Sequence, residues 1–131
     1  MERSGKKDLW RKALWLLGLT AGLGLSLPAH TPTATQLYVY EHINYEGAYI
    51  RWDGLREIAD LRWYNTGPIG SPNWNDRISS LKVGSDLKVI LYEHINYQGK
   101  SLTIPGPANI SSLVSMGWND RASSLRTVPN N

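Results

Sequence analysis

The sequence predicts an all-β fold in two similar halves, on three observations. The phrase Tyr40-Glu-His-Ile-Asn-Tyr-Glu-Gly47 returns as Tyr92-Glu-His-Ile-Asn-Tyr-Gln-Gly99. Each copy is followed by Trp-Asn-Asp-Arg-x-Ser-Ser-Leu, at 74–81 and again at 118–125. Between these phrases the apolar residues fall with the period of short strands rather than of helices. A repeat this exact marks two copies of one supersecondary unit, because neither copy buries its apolar face alone.

In chain order, residues 1–34 read as a leader and spacer. A charged start ends in Arg11-Lys12, an uncharged stretch runs from Ala13 to Leu27, and Pro28 and small residues follow, which is the layout of a secretory signal. The 15 residues of that stretch fall short of the roughly 20 that span a bilayer, so a cleaved signal is expected and an uncleaved anchor is the alternative. Cleavage after Ala29 or after Ala34 suits the sequence, although neither has a small residue two positions earlier. His30 to Thr35 reads as a polar spacer. The domain is expected at 35–131, with repeats at 37–83 and 87–128 and an extracytoplasmic location.

Within the repeats, Leu37 to Tyr40 and Val89 to Tyr92 are apolar strands, and Tyr49 to Trp52 and Ser101 to Ile104 alternate. Aligning Gly47 with Gly99 turns Ile50, Trp52, Leu102 and Ile104 toward the core and Tyr49, Arg51, Ser101 and Thr103 outward. Asp53-Gly54 and Pro105-Gly106 take equivalent turns, each glycine supplying a positive φ. A closing strand carries Leu81 and Val83 in one copy and Leu125 and Thr127 in the other. About eight strands result. The first copy is longer between its two phrases. Its extra length, around Leu61 to Asn73, reads as a loop with one helical turn near Glu57 to Trp63.

Composition narrows the function. Of 14 basic and 11 acidic residues, five and two lie in 1–34, leaving nine of each in a neutral domain with no basic run, which excludes a nucleic-acid surface. Cysteine is absent, so an exported domain of this size needs another stabiliser, and a bound metal is one such device. The second phrase supplies the chemistry: an amide, a carboxylate and hydroxyls are hard oxygen donors suited to Ca²⁺. A single Asn-Asp before a strand is ordinarily a turn, and its duplication in register favours the metal. Tyr40, Tyr45, Tyr92 and Tyr97, like Trp52, Trp63, Trp74 and Trp118, read as packing residues. His42 and His94 lie in separate equivalent loops with no third nitrogen or sulfur ligand, which disfavours zinc. Candidate acid-base groups occur in duplicate and no Gly-x-Ser-x-Gly elbow is present, so no enzyme activity is expected.

On these residues the chain resembles the microbial βγ-crystallins over roughly 37–128. The hairpin signature aromatic-x4-aromatic-x-Gly is met by Tyr40, Tyr45 and Gly47 and by Tyr92, Tyr97 and Gly99. The clamp Asn/Asp-Asn/Asp-x-x-Ser/Thr-Ser is met by Asn75 to Ser80 and Asn119 to Ser124. The resemblance implies a βγ-crystallin-like sandwich of two Greek-key motifs with two adjacent calcium sites that share ligands between motifs. It assigns side-chain oxygens to Asp76, Ser79, Asp120 and Ser123, and backbone carbonyls to Arg77, Arg121, Glu41 and Glu93. Asn75 and Asn119 would orient the loop, and the side chains of Arg77 and Arg121 would be solvated. Which serine completes which site is not given by the spacing. With about four protein oxygens and one carboxylate per ion, affinity is expected between micromolar and sub-millimolar, with calcium acting chiefly on the stability of a monomer. The rival reading is a secreted peptidase inhibitor presenting Trp63-Tyr64, although the related inhibitors lean on disulfides that this chain lacks.

Overall fold

Two four-stranded antiparallel sheets, packed face to face, make up the computed structural model, which describes residues 30–131. The expected leader stretch, Ala13 to Leu27, lies outside the described residues. The strands are β1 (Gln36–His42), β2 (Glu46–Asp53), β3 (Arg56–Ile58), β4 (Ser80–Val83), β5 (Leu87–His94), β6 (Gln98–Pro105), β7 (Ala108–Ile110) and β8 (Ser124–Pro129). One sheet runs β2-β1-β4-β7 and the other β3-β8-β5-β6. Each motif therefore gives its third strand to the other motif's sheet: β3 pairs with β8, and β7 with β4. This is the all-β, double Greek-key architecture expected from the repeat, and among the described residues there is no α-helix.

The core follows from strand alternation. Leu37 and Val39 of β1, Val89 and Leu91 of β5, and Leu81 and Leu125 of the closing strands are wholly buried, and Trp74 fills the space between the sheets. Trp52 and Ile104 are buried as expected, whereas Ile50 and Leu102 are only half-buried against the cluster. They lie on β2 and β6, the outermost strands of the two sheets, where the sandwich opens to solvent. The long segment of motif one holds the strand β3 and a 3₁₀ turn at Leu61–Trp63, inside the expected span. Asp60 caps that turn, accepting from the Arg62 backbone N–H at 2.9 Å.

Two expectations fail here. Gly54 does take a positive φ of 75°, but Gly106 does not. Its requirement is spatial, since a Cβ there would lie 1.9 Å from the carbonyl oxygen of Gly84. Residues 30–35 are also no free spacer. Gln36 N–H donates to Thr33 O, Asp86 N–H to Ala34 O and Gly54 N–H to Thr35 O, at 2.8–3.1 Å.

Candidate metal centre

The two clamp segments cross at one end of the sandwich, just before β4 and β8, and hold each other through their backbones. Asp76 N–H donates to Ala122 O at 2.9 Å and Asp120 N–H to Ile78 O at 3.1 Å. Asp76 and Asp120 take φ of 57° and 55°, the left-handed region that aspartate tolerates better than most residues. That turn carries each carboxylate across to the opposite motif. Ser79 Oγ donates to Asp120 Oδ1 at 3.0 Å, and Ser123 Oγ to Asp76 Oδ1 at 3.4 Å. Four of the eight residues singled out in the sequence thus form two mixed pairs, each serine beside the aspartate of the other motif.

Glu41 and Glu93 lie at the ends of β1 and β5, next to Tyr40 and Tyr92, whose carbonyls accept from Ser79 and Ser123 N–H at 3.0 and 2.9 Å. Their side chains have work of their own that the sequence reading missed. Glu41 accepts from Ala48 N–H and Glu93 from Lys100 N–H, tying each hairpin across its turn. Glu93 also takes Arg121 in a two-point pair at 2.7 and 3.2 Å, while Arg77 approaches Glu41 only to 3.8 Å. Hydrogen bonding from Arg121, foremost, holds the Glu93 carboxyl below the usual carboxylate range. Arg121 donates to Gly117 O as well and lies over the Trp118 ring, so its side chain, partly open to solvent as expected, is nonetheless held in place.

The flanking asparagines divide. Asn119 Nδ2 donates to Asp120 Oδ2 at 3.2 Å, orienting that carboxylate, and its buried Oδ1 has no partner among the described residues. In motif one the contact differs: Asn73 Oδ1 accepts from Asn75 N–H at 3.0 Å, a local turn bond that touches no carboxylate. His42 and His94 are exposed, with rings lying over Gly47 and Gly99.

The last serine of each clamp was given no separate role by spacing. Ser80 Oγ donates to His42 O at 2.7 Å and accepts from Tyr45 N–H at 3.0 Å, and Ser124 does the same for His94 and Tyr97 at 2.6 and 3.0 Å. Tyr45 and Tyr97 have positive φ, a conformation such residues adopt only when their surroundings impose it. The Tyr40 and Tyr92 rings meet Tyr45 and Tyr97 edge-on at 5.5 and 5.6 Å, in keeping with the packing role read from the sequence.

Among the described residues no three His, Cys, Asp or Glu side chains gather as a metal cluster. The donor chemistry nonetheless suits a hard cation. Oxygens 3.0 to 3.4 Å apart, as in the two aspartate–serine pairs, can both lie at about 2.4 Å from one calcium ion. Both aspartates are exposed, so an ion reaches them from solvent. A carboxylate oxygen, a hydroxyl and neighbouring carbonyls leave the remaining calcium positions to water.

Residues 33–104 match the profile of peptidase inhibitor family I36. The fold is similar to a βγ-crystallin domain from Flavobacterium johnsoniae, 32% identical, covering 72% of this chain and 96% of that one with a TM-score of 0.56. Spherulin-3A of Physarum polycephalum is 23% identical over 94 residues, which are 72% of this chain and 82% of that protein. A βγ-crystallin domain of Abundant Perithecial Protein from Neurospora crassa, solved in its Ca²⁺-bound form, shares the fold at 21% identity, with 79% and 98% coverage and a TM-score of 0.58. The chain belongs to the βγ-crystallin family and, over residues 33–104, to peptidase inhibitor family I36, a related family of the same fold.

Proposed function

We propose that this is an exported, non-enzymatic calcium-binding structural module that takes two Ca²⁺ with moderate affinity and is stabilised by them as a monomer. The carrying observation is the crossed pairing of Ser79 with Asp120 and Ser123 with Asp76, which makes each donor set depend on both motifs. The backbone carbonyls of Arg77, Arg121, Glu41 and Glu93 complete the sets. The calcium-bound Neurospora domain, with the same fold, supports the reading. An ion held by both motifs joins distant segments, and a ligand at 100 times its dissociation constant stabilises the fold by about 2.7 kcal/mol. With few carboxylates, and water taking the remaining positions, a dissociation constant between micromolar and sub-millimolar is expected, a site that fills outside a cell. The test is calorimetric titration together with melting in calcium and in EDTA. Two bound ions and a higher melting temperature are expected, both abolished in Asp76→Ala with Asp120→Ala. Failure to recover calcium from the folded protein at millimolar concentration would refute the reading.

The match to a peptidase inhibitor family favours a second reading, binding of a peptidase through the long loop of motif one. Trp63 is exposed there, but Tyr64 turns inward and meets Trp52 edge-on at 5.6 Å. The loop also presents Ile69, fully exposed in a turn closed by Ser71 N–H donating to Pro68 O at 2.9 Å. Inhibition of secreted peptidases that disappears in Ile69→Asp would support it, and no inhibition by the intact protein would exclude it.

A further inference from the structure

The first described residues form a strap over the outer face of the β2-β1-β4-β7 sheet. The His30 ring stacks on Tyr38 with centroids 4.6 Å apart and planes 15° apart, lies 4.4 Å from Tyr49, and places Nδ1 2.9 Å from the Tyr40 hydroxyl. The His30 carbonyl accepts from Lys82 Nζ at 2.6 Å. Lys82 is only 7% exposed, and the Tyr45 ring lies 4.4 Å from its Nζ. Among the described residues His30 O is the one hydrogen-bond acceptor of this buried ammonium. Burial lowers the Lys82 pKa and pushes the Tyr40 phenol up to about 12, as expected of groups closed off from water.

Among the described residues motif two has no such strap. Its register-equivalent of Lys82 is Arg126, whose guanidinium lies over Tyr97 at 3.9 Å, but Tyr38 is replaced there by half-buried Ile90 and Tyr49 by exposed Ser101. Among the described residues the aromatic cage is found where the N-terminal segment enters it.

Of the two cleavage positions that the sequence allows, only one keeps this arrangement. Cutting after Ala34 removes the His30 ring from the tyrosines, takes from Lys82 its acceptor and its cover, and breaks the backbone bonds to Thr33 O and Ala34 O. Cutting after Ala29 keeps all of it. We propose that the leader is removed between Ala29 and His30, so that the mature chain begins at His30 and its first residues form part of the folded domain. This rests on the export reading above.

The experiment is expression of the full chain with a C-terminal tag in a secreting host, followed by N-terminal sequencing and intact mass of the exported product. A start at His30 is expected, with Ala29→Leu accumulating unprocessed and Ala34→Leu processed normally. A start at Thr35, or processing blocked by Ala34→Leu and not by Ala29→Leu, would overturn the proposal while leaving export intact. A chain that stays uncleaved in the cytoplasm would overturn the export reading and the proposal with it. In the exported protein, His30→Ala should lower the melting temperature by several degrees, and an unchanged melting temperature would count against the structural role of the strap.

Discussion

Ser80→Ala removes one oxygen that nothing else replaces. The Ser80 side chain is wholly buried, and its Oγ serves two backbone groups of the β1–β2 turn, donating to His42 O at 2.7 Å and accepting from Tyr45 N–H at 3.0 Å. Each bond contributes on the order of 1 kcal/mol net, and a buried group left without a partner costs about 1–3 kcal/mol, so a loss of about 3 kcal/mol is expected. The positive φ of Tyr45 adds to this, because the lost bonds are what hold it. A domain of this size loses about 4–8 °C per kcal/mol, giving a fall of roughly 12–24 °C. The assay is urea unfolding followed by tryptophan emission, with calorimetry in parallel, both in EDTA so that calcium plays no part. Ser124→Ala should behave alike, and Ser101→Ala, on the exposed face of β6, is the control. A loss below about 0.5 kcal/mol, or one no larger than the control's, would refute the reasoning.

Three further outcomes are expected. Because the donor sets cross between motifs, Ser79→Ala with Asp120→Ala should leave one calcium site, whereas Ser79→Ala with Asp76→Ala should impair both; titration stoichiometry separates these. Gly106→Ala should destabilise more than Gly47→Ala in chemical denaturation. The first Cβ meets the backbone oxygen of Gly84, which cannot yield, and the second strains a left-handed residue but displaces only the exposed His42 ring. Asp60 and Glu93 are both held below the ordinary carboxylate range, chiefly by hydrogen bonds from Arg62 and Arg121 respectively. Their folded values lie below their unfolded ones, so they contribute stability that is present above about pH 4 and lost as pH falls through the depressed values. Arg121→Ala should move the Glu93 titration, followed by NMR, back up, and Arg77→Ala should leave it in place.

The strands were legible because their faces alternate locally, and the clamps because the same six-residue pattern recurs in register. Other features were not, for identifiable reasons. Nothing in the Arg56 to Ile58 segment encodes that its partner is Thr127 to Leu125, since the exchange of third strands is decided by packing of the whole sandwich. Ile50 and Leu102 alternate correctly yet remain half-exposed, because alternation selects a face and not the distance from the rim. The side-chain roles of Glu41 and Glu93 depend on a turn that brings residues seven positions apart together. His30 to Thr35 looked like a spacer because its polar composition hides a local turn bond and backbone bonds to two separate loops. The register of the aspartate–serine pairs, open in the sequence, is a property of where the two clamps cross.

The exchange of third strands also governs the order in which the molecule can form. Arg56 must wait for Thr127, 71 residues later, and its backbone N–H ends 2.7 Å from that threonine's hydroxyl. Contacts of such high sequence separation slow folding, since the loop must close before any of them is gained. A chain emerging from its N-terminus therefore cannot complete its first half alone. It stays incomplete until its last strand arrives, which is compatible with the export proposed above.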